Sequence, residues 1–161
     1  PRWLFLVPGL LLGICGALFM ALLGAGPVHF GTISLDSGSL AISSMTLLVG
    51  GQLVSFSLFV KVFAISQGLL PVDPLFDKVM KFASLERIVV FAGLIFGVGA
   101  ALLAHAIMLW QGAGFGPLSY SENMRRLLPA ATLIMLGVQI VFSGFFISVL
   151  SLKTDASTKS V

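Results

Sequence analysis

Four cations, Lys61, Lys78, Lys81 and Arg87, stand in one polar stretch of a chain that holds only nine Lys and Arg and six Asp and Glu. Ammonium and guanidinium groups at the edge of an apolar phase can hold a phosphate, most simply that of an anionic lipid. They supply no bond-making chemistry themselves. The sequence has no Asp-x-Asp pair to hold a metal and a nucleotide diphosphate, and no Ser, His and Asp set to make a nucleophile. Gly112-Ala-Gly-Phe-Gly116 superficially resembles a phosphate loop, but it follows an apolar run ending at Trp110 instead of a strand. His29 lacks any partner of ligand type at a useful spacing and reads as an exposed loop residue. The single Cys15 lies within an apolar run, which leaves no disulfide to form and makes small-residue packing its role.

The elements that must position these residues are four apolar runs: Trp3 to Gly26, Leu40 to Val60, Ile88 to Trp110 and Leu127 to Leu152. None contains Asp, Glu, Lys or Arg, and a helix needs about 20 such residues to cross the hydrocarbon core. With 58% hydrophobic and 9% charged residues the composition is that of a membrane protein, far from the roughly 25% charged residues of a soluble domain. A secretory signal is an alternative for the first run, which follows Arg2, but a signal's apolar region spans only about 7 to 15 residues. The first half of this run also matches the third. The chain starts at Pro1 without an initiator Met, which reads as a processed chain or a piece of a longer protein. The net charge of +3 does not point to nucleic acid, because no soluble domain presents a basic face.

The runs form two copies of one unit. Gly9-Leu-Leu-Leu-Gly13 recurs as Gly93-Leu-Ile-Phe-Gly97, Gly24-Ala-Gly26 as Gly112-Ala-Gly114, and Gly50-Gly-Gln52-Leu-Val as Gly137-Val-Gln139-Ile-Val, at offsets of 84, 88 and 87 residues. This is a duplicated helical hairpin. The expected fold is an all-α membrane protein: four transmembrane helices as two duplicated hairpins, with a short cytoplasmic interfacial helix. The transmembrane domain covers 1–152, with repeat halves at about 1–67 and 85–152 and the interfacial helix at about 74–84. Residues 153–161 form a cytoplasmic, disordered tail.

With four spans, both termini and the middle loop share one side and carry Arg2, Lys61, Lys78, Lys81, Arg87, Lys153 and Lys159, whereas the other side carries only Arg125 and Arg126. The positive-inside rule puts the first set in the cytoplasm. Lys61 sits where its stem can stay in hydrocarbon while the ammonium snorkels, and Gly68 is a natural helix C-terminal cap. Asp73-Pro74 opens a segment with Asp77, Lys78, Lys81 and Ser84 on one face and Leu75, Phe76, Val79, Met80, Phe82 and Ala83 on the other, the pattern of a helix lying in the interface. This segment reads either as a plain anchor or, with Arg87, as a cationic rim for a lipid phosphate. On the far side, Pro27 to Ser39 reads as a short extended excursion. Ser119-Tyr-Ser-Glu122 has capping-box spacing, Glu122 and Arg126 are placed for an i,i+4 pair, and Trp110, Arg125 and Arg126 read as anchors at the outer interface. Pro129 then begins or kinks the fourth span.

Few polar groups lie inside the spans. His105 reads as a neutral histidine hydrogen-bonded between helices. Gln52 and Gln139 occupy equivalent repeat positions with Ser55, Ser57, Ser143 and Ser148 nearby, and pairing the two amides across a pseudo-twofold bundle would satisfy both. Gly9, Gly13, Gly93 and Gly97 have the spacing that lets helix backbones approach closely.

Taken in order, Leu6-Val-Pro-Gly-Leu-Leu-Leu, Gly51-Gln-Leu, Phe59-Val-Lys61-Val-Phe-Ala, Gly68-Leu-Leu-Pro71-Val-Asp73-Pro, Leu85-Glu-Arg87, Trp110 with Gly114-Phe-Gly116-Pro-Leu, Arg126, and Gly137-Val-Gln139-Ile-Val-Phe-Ser-Gly-Phe-Phe-Ile-Ser-Val-Leu are a set of landmarks. From about Leu6 to Leu152 they resemble the C-terminal membrane region of family 2 glycosyltransferases, the group of dolichol-phosphate mannose synthase and polyprenyl-phosphate glycosyltransferases. The resemblance implies an N-terminal cytosolic glycosyltransferase domain as partner, which binds a nucleotide sugar and a divalent metal and transfers the sugar to a polyprenyl phosphate. Its metal site and catalytic base match no residue here, so this chain carries no cofactor and no catalytic residue of its own. The role implied for it is anchoring, assembly and lipid presentation in the cell (cytoplasmic) membrane, with a homo-oligomer as a further option. A small four-helix lipid-linked-sugar flippase or transporter is the alternative and requires polar groups lining a cavity near the midplane. A structural scaffold is the third reading.

Overall fold

A computed structural model describes residues 2–26, 28–30, 33–70, 84–112, 114 and 119–158. A π-helical turn, Arg2–Leu6, leads into α1 (Val7–Ala25). Two three-residue strands follow, β1 (Val28–Phe30) and β2 (Ile33–Leu35), then α2 (Ser37–Ser66), α3 (Leu85–Gly112) and α4 (Tyr120–Thr158). All four helices are long and apolar enough to cross a membrane, and the chain is a multi-pass membrane protein. The extended excursion expected after α1 is an antiparallel hairpin in which Val28 faces Leu35 and Phe30 faces Ile33. The interfacial helix expected at about 74–84, with Lys78 and Lys81, lies outside the described residues.

Helix ends follow local chemistry. Gly68 adopts φ +68°, and the N–H groups of Gly68 and Leu69 donate to the carbonyls of Ile65 and Ala64 at 3.0 and 2.9 Å. This crossed pair closes α2 as a Schellman motif, which a side chain bearing Cβ would resist at that φ. At its start, α4 takes Ser119 as its flanking residue, whose carbonyl accepts from the Asn123 N–H at 3.1 Å. The helix therefore begins well before Pro129, which lies inside it. At the other end α4 continues to Thr158, past Leu152, where a disordered tail was expected to begin. No Gly or Pro follows Gly144 in that stretch to stop it.

Each hairpin is held by a buried stripe at every seventh position, made of small residues except for Leu23. The buried sets are Gly9, Gly16 and Leu23 on α1, Ser43, Gly50 and Ser57 within α2, and Ala92, Gly99 and Ala106 on α3. Ala130, Gly137 and Gly144 complete them on α4. A seven-residue period keeps one stripe of each helix against its partner, and small side chains let the backbones meet, as membrane helices require in the absence of a hydrophobic drive between them. A Cβ on Gly16 would overlap the Leu47 backbone and lie 2.9 Å from the Ser43 carbonyl, whereas one on Gly99 would lie 2.8 Å from the Ile134 nitrogen and 2.9 Å from the Ala130 carbonyl. These contacts are equivalent in the two repeats.

The glycine motif of the second repeat does not behave like that of the first. A Cβ on Gly50 would overlap the Gly13 backbone and lie 2.8 Å from the Gly9 carbonyl, so Gly9 and Gly13 do sit where α1 meets α2. Gly93 and Gly97 face open space, and the close approach of α3 to α4 falls at Gly99, Gly137 and Gly144. The reason is one residue of register: the buried stripe of α3 starts at Ala92, not Gly93, and one residue turns a helix face by about 100°.

The hairpins join through α2 and α4, which run parallel and form the centre of the bundle, with α1 outside α2 and α3 outside α4. Phe59 meets Phe146 edge to face at 4.7 Å between ring centres. One end of the bundle carries the starts of α1 and α3 and the ends of α2 and α4. The opposite end carries the short loops within each hairpin and is called the hairpin end below.

Candidate functional site: an apolar groove and the cations at its end

A groove of about 430 Å³ opens between the two hairpins. Its walls are Gly9, Gly13 and Ile14 of α1, Gly50, Gly51, Val54 and Leu58 of α2, Ile88 and Phe91 of α3, and Leu136, Ile140, Gly144 and Ile147 of α4. Gly13 leaves part of it open, since a Cβ there would touch nothing within 4 Å, whereas Gly9 and Gly50 let α1 and α2 meet at its wall and Gly144 admits the Ile88 side chain. Its polar residues are Ser55 and Ser143, and Ser143 Oγ donates to Ser55 Oγ at 3.1 Å. With those hydroxyls occupied by each other, the groove offers hydrocarbon and little else. Its volume is within the range of small-molecule pockets, about 300–1,000 Å³.

Gly50, Gly51 and Leu136 lie near mid-helix and the other wall residues lie in the halves of the helices away from the hairpin loops, so the groove runs from the middle of the bundle toward the end where Lys61 and Arg87 stand. Ile88, a wall residue, directly follows Arg87. Lys61 is half-buried on the last turns of α2, and Arg87 is exposed on the first turn of α3; both take part in interactions with the rest of the chain. Two of the four cations expected here, Lys61 and Arg87, thus stand at the end of the bundle toward which the groove runs, and Lys78 and Lys81 lie outside the described residues. Beside the groove, Gln139 Nε2 donates to Gln52 Oε1 at 2.9 Å across the α2–α4 contact. The groove itself was not read from the sequence. Its signal is the coincidence of Gly9, Gly13, Gly50, Gly51 and Gly144 at one depth of the bundle, visible only once the helices are paired.

The hairpin end departs from expectation. Arg125, read as an anchor at the outer interface, is 17% exposed and its guanidinium pairs with Asp36, just before α2. Ser121 Oγ donates to the same carboxylate oxygen at 2.6 Å. The hydroxyl and the guanidinium hold the Asp36 carboxyl below its ordinary value of 3.8. Ser121 and Arg125 lie four apart on one face of α4, so both reach Asp36; the expected pair of Glu122 with Arg126 is not formed among the described residues. His105 is exposed and makes no hydrogen bond between helices among the described residues, because its position on α3 lies off the buried stripe. Trp110 is 45% exposed near the end of α3, and Cys15 is exposed.

Among the described residues no three His, Cys, Asp or Glu gather to hold a metal ion. The divalent metal implied by the resemblance does not fit them. The family model for the C-terminal transmembrane region of glycosyltransferase family 2 matches residues 58–151. Neither a curated protein nor a solved structure matches the chain.

Proposed function

Since the chain belongs to the family of glycosyltransferase family 2 C-terminal transmembrane regions, we propose that it anchors a glycosyltransferase and presents its lipid acceptor. The reaction served is transfer of a sugar from a nucleotide sugar to a polyprenyl-phosphate-type lipid, carried out by a linked catalytic domain that also holds the divalent metal. This chain does none of the covalent work.

The observation that carries this reading is the groove lined almost wholly by glycine and aliphatic side chains. An isoprenoid tail needs no polar partner, and it gains dispersion contacts from each wall atom it meets. Lodged there, the tail leaves its phosphate at the end of the bundle carrying Lys61 and Arg87, with Lys78 and Lys81 supplied by the connecting segment. Nucleotide sugars are cytosolic, so this end faces the cytoplasm at the cell membrane, the orientation that the charge distribution favours. The same lining counts against a flippase, because a sugar headgroup crossing the bilayer would leave its hydroxyls without partners.

The test fills the groove. Gly13→Leu would place its side chain into open groove space, whereas Gly97→Leu adds the same side chain at an open position outside it. With a polyprenyl phosphate carrying a photoreactive group in its tail, labelling should fall several-fold in the first variant and stay unchanged in the second. Equal labelling of both variants rejects the groove as the tail site. If the reconstituted chain alone moves a lipid-linked sugar across vesicle bilayers, the flippase reading replaces this one.

A further inference from the structure

We propose a second lipid site at the hairpin end, in which Arg126 holds the phosphate of an anionic membrane phospholipid whose chains fill a gap between α1 and α3. It is independent of the glycosyltransferase reading and lies at the other end of the bundle from Lys61 and Arg87.

The gap is a depression of about 320 Å³ walled by Met20, Ala21 and Gly24 of α1 and Leu102 of α3, with Pro129 of α4 as floor. It lies where the two hairpins adjoin without α1 and α3 forming a substantial packed interface. Its rim carries His105, Arg125 and Arg126. The two arginines are not equivalent. Arg125 is committed to Asp36, so that pair brings no net charge. Arg126 is exposed and, among the described residues, has no carboxylate partner, since Glu122 does not reach it.

An uncompensated guanidinium above apolar walls matches one kind of ligand best. Its planar fork binds phosphate oxygens bidentately, and His105 adds a hydrogen-bonding group on the same rim. A free phosphate would engage the rim and leave the walls unused, and a neutral lipid would engage the walls and leave the cation unused. An anionic phospholipid uses both, and its chains seal a space that the two hairpins leave between them. The lipid then acts as packing material between the repeats.

The test uses phosphatidylglycerol and phosphatidylcholine probes with a photoreactive group in an acyl chain, on the whole chain in bilayer discs. Labelling around Met20 and Leu102 should be stronger with phosphatidylglycerol. Arg126→Gln should weaken it about fivefold, the factor corresponding to one basic residue at an anionic surface. Arg126→Lys should restore most of it, which guards against simple misfolding, and Leu102→Trp should lower it by occupying the space while keeping the cation. Equal labelling by both probes, or labelling indifferent to Arg126→Gln, overturns the proposal. Loss of labelling in excess inorganic phosphate, but not in chloride at matched ionic strength, would reduce the site to a phosphate site and overturn its lipid character.

Discussion

Gln139 donates its side-chain amide to Gln52 at 2.9 Å, and the two residues, 87 apart in the chain, hold the same place in the two repeats. Phe59 and Phe146 have the same separation and also meet each other. A residue can touch its own repeat mate only at an axis of symmetry, so the pseudo-twofold axis passes between α2 and α4. Because the copies run in the same direction, that axis lies along the membrane normal, and both repeats deliver their equivalent ends to the same side.

The amide pair is expected to couple the hairpins measurably. Interhelical hydrogen bonds in membranes average about 0.6 kcal/mol and reach about 1.7 kcal/mol. A double-mutant cycle of Gln52→Leu and Gln139→Leu, read from unfolding in mixed micelles, should give a coupling in that range. Strictly additive losses would mean that the two amides do not depend on each other.

Glycine substitutions should separate packing from mere helix composition. Gly50→Ala puts a Cβ into the Gly13 backbone, and forced overpacking costs about 1–3 kcal/mol. Gly93→Ala meets nothing within 4 Å and should stay within about 0.5 kcal/mol of the parent. Equal thermal stabilities of the two variants would contradict the heptad stripes as the hairpin contact.

The contrast between those glycines explains what was legible in the sequence. Span number and duplication follow from hydrophobicity and spacing, which survive without knowing how any helix is rotated. Which face packs is a matter of register, and the motif at Gly93 and Gly97 matched by residue type while the buried stripe begins one residue earlier at Ala92. Small residues recurring every seven positions, as in Ser43, Gly50 and Ser57, were the better signal and were present in the sequence. The fate of Arg125 was not legible, because its partner Asp36 lies 89 residues away in a loop whose path depends on the packed hairpins. The groove likewise depends on four helices meeting at one depth.

The Asp36 clasp makes acid sensitivity a specific expectation. Its carboxyl titrates below the ordinary 3.8 in the folded chain, so between the two values the unfolded chain binds more protons. The clasp's contribution is fully present above the ordinary value and is lost as pH falls through the lowered one. Asp36→Asn should remove the ion pair with Arg125 while leaving an acceptor for Ser121. The melting-temperature gap between parent and variant should therefore be constant near neutral pH and close on acidification. A gap that persists unchanged into strong acid would show that the charge on Asp36 is not what holds the loops.

Finally, the bundle's two ends should prove to be on opposite sides of the membrane, with the groove's cations inside. Ser84 precedes α3 at one end, and Tyr120, 72% exposed, opens α4 at the other. Cys15 is replaced by Ala first, which its exposed position makes tolerable. In that background, cysteines introduced as Ser84→Cys and Tyr120→Cys should react with an impermeant maleimide from opposite sides. The seven-to-two division of Lys and Arg between the sides predicts that only Tyr120→Cys labels in intact cells. Labelling of Ser84→Cys alone would invert the topology and place Lys61 and Arg87 away from cytosolic nucleotide sugars, and labelling of both in intact cells would deny that four helices cross at all.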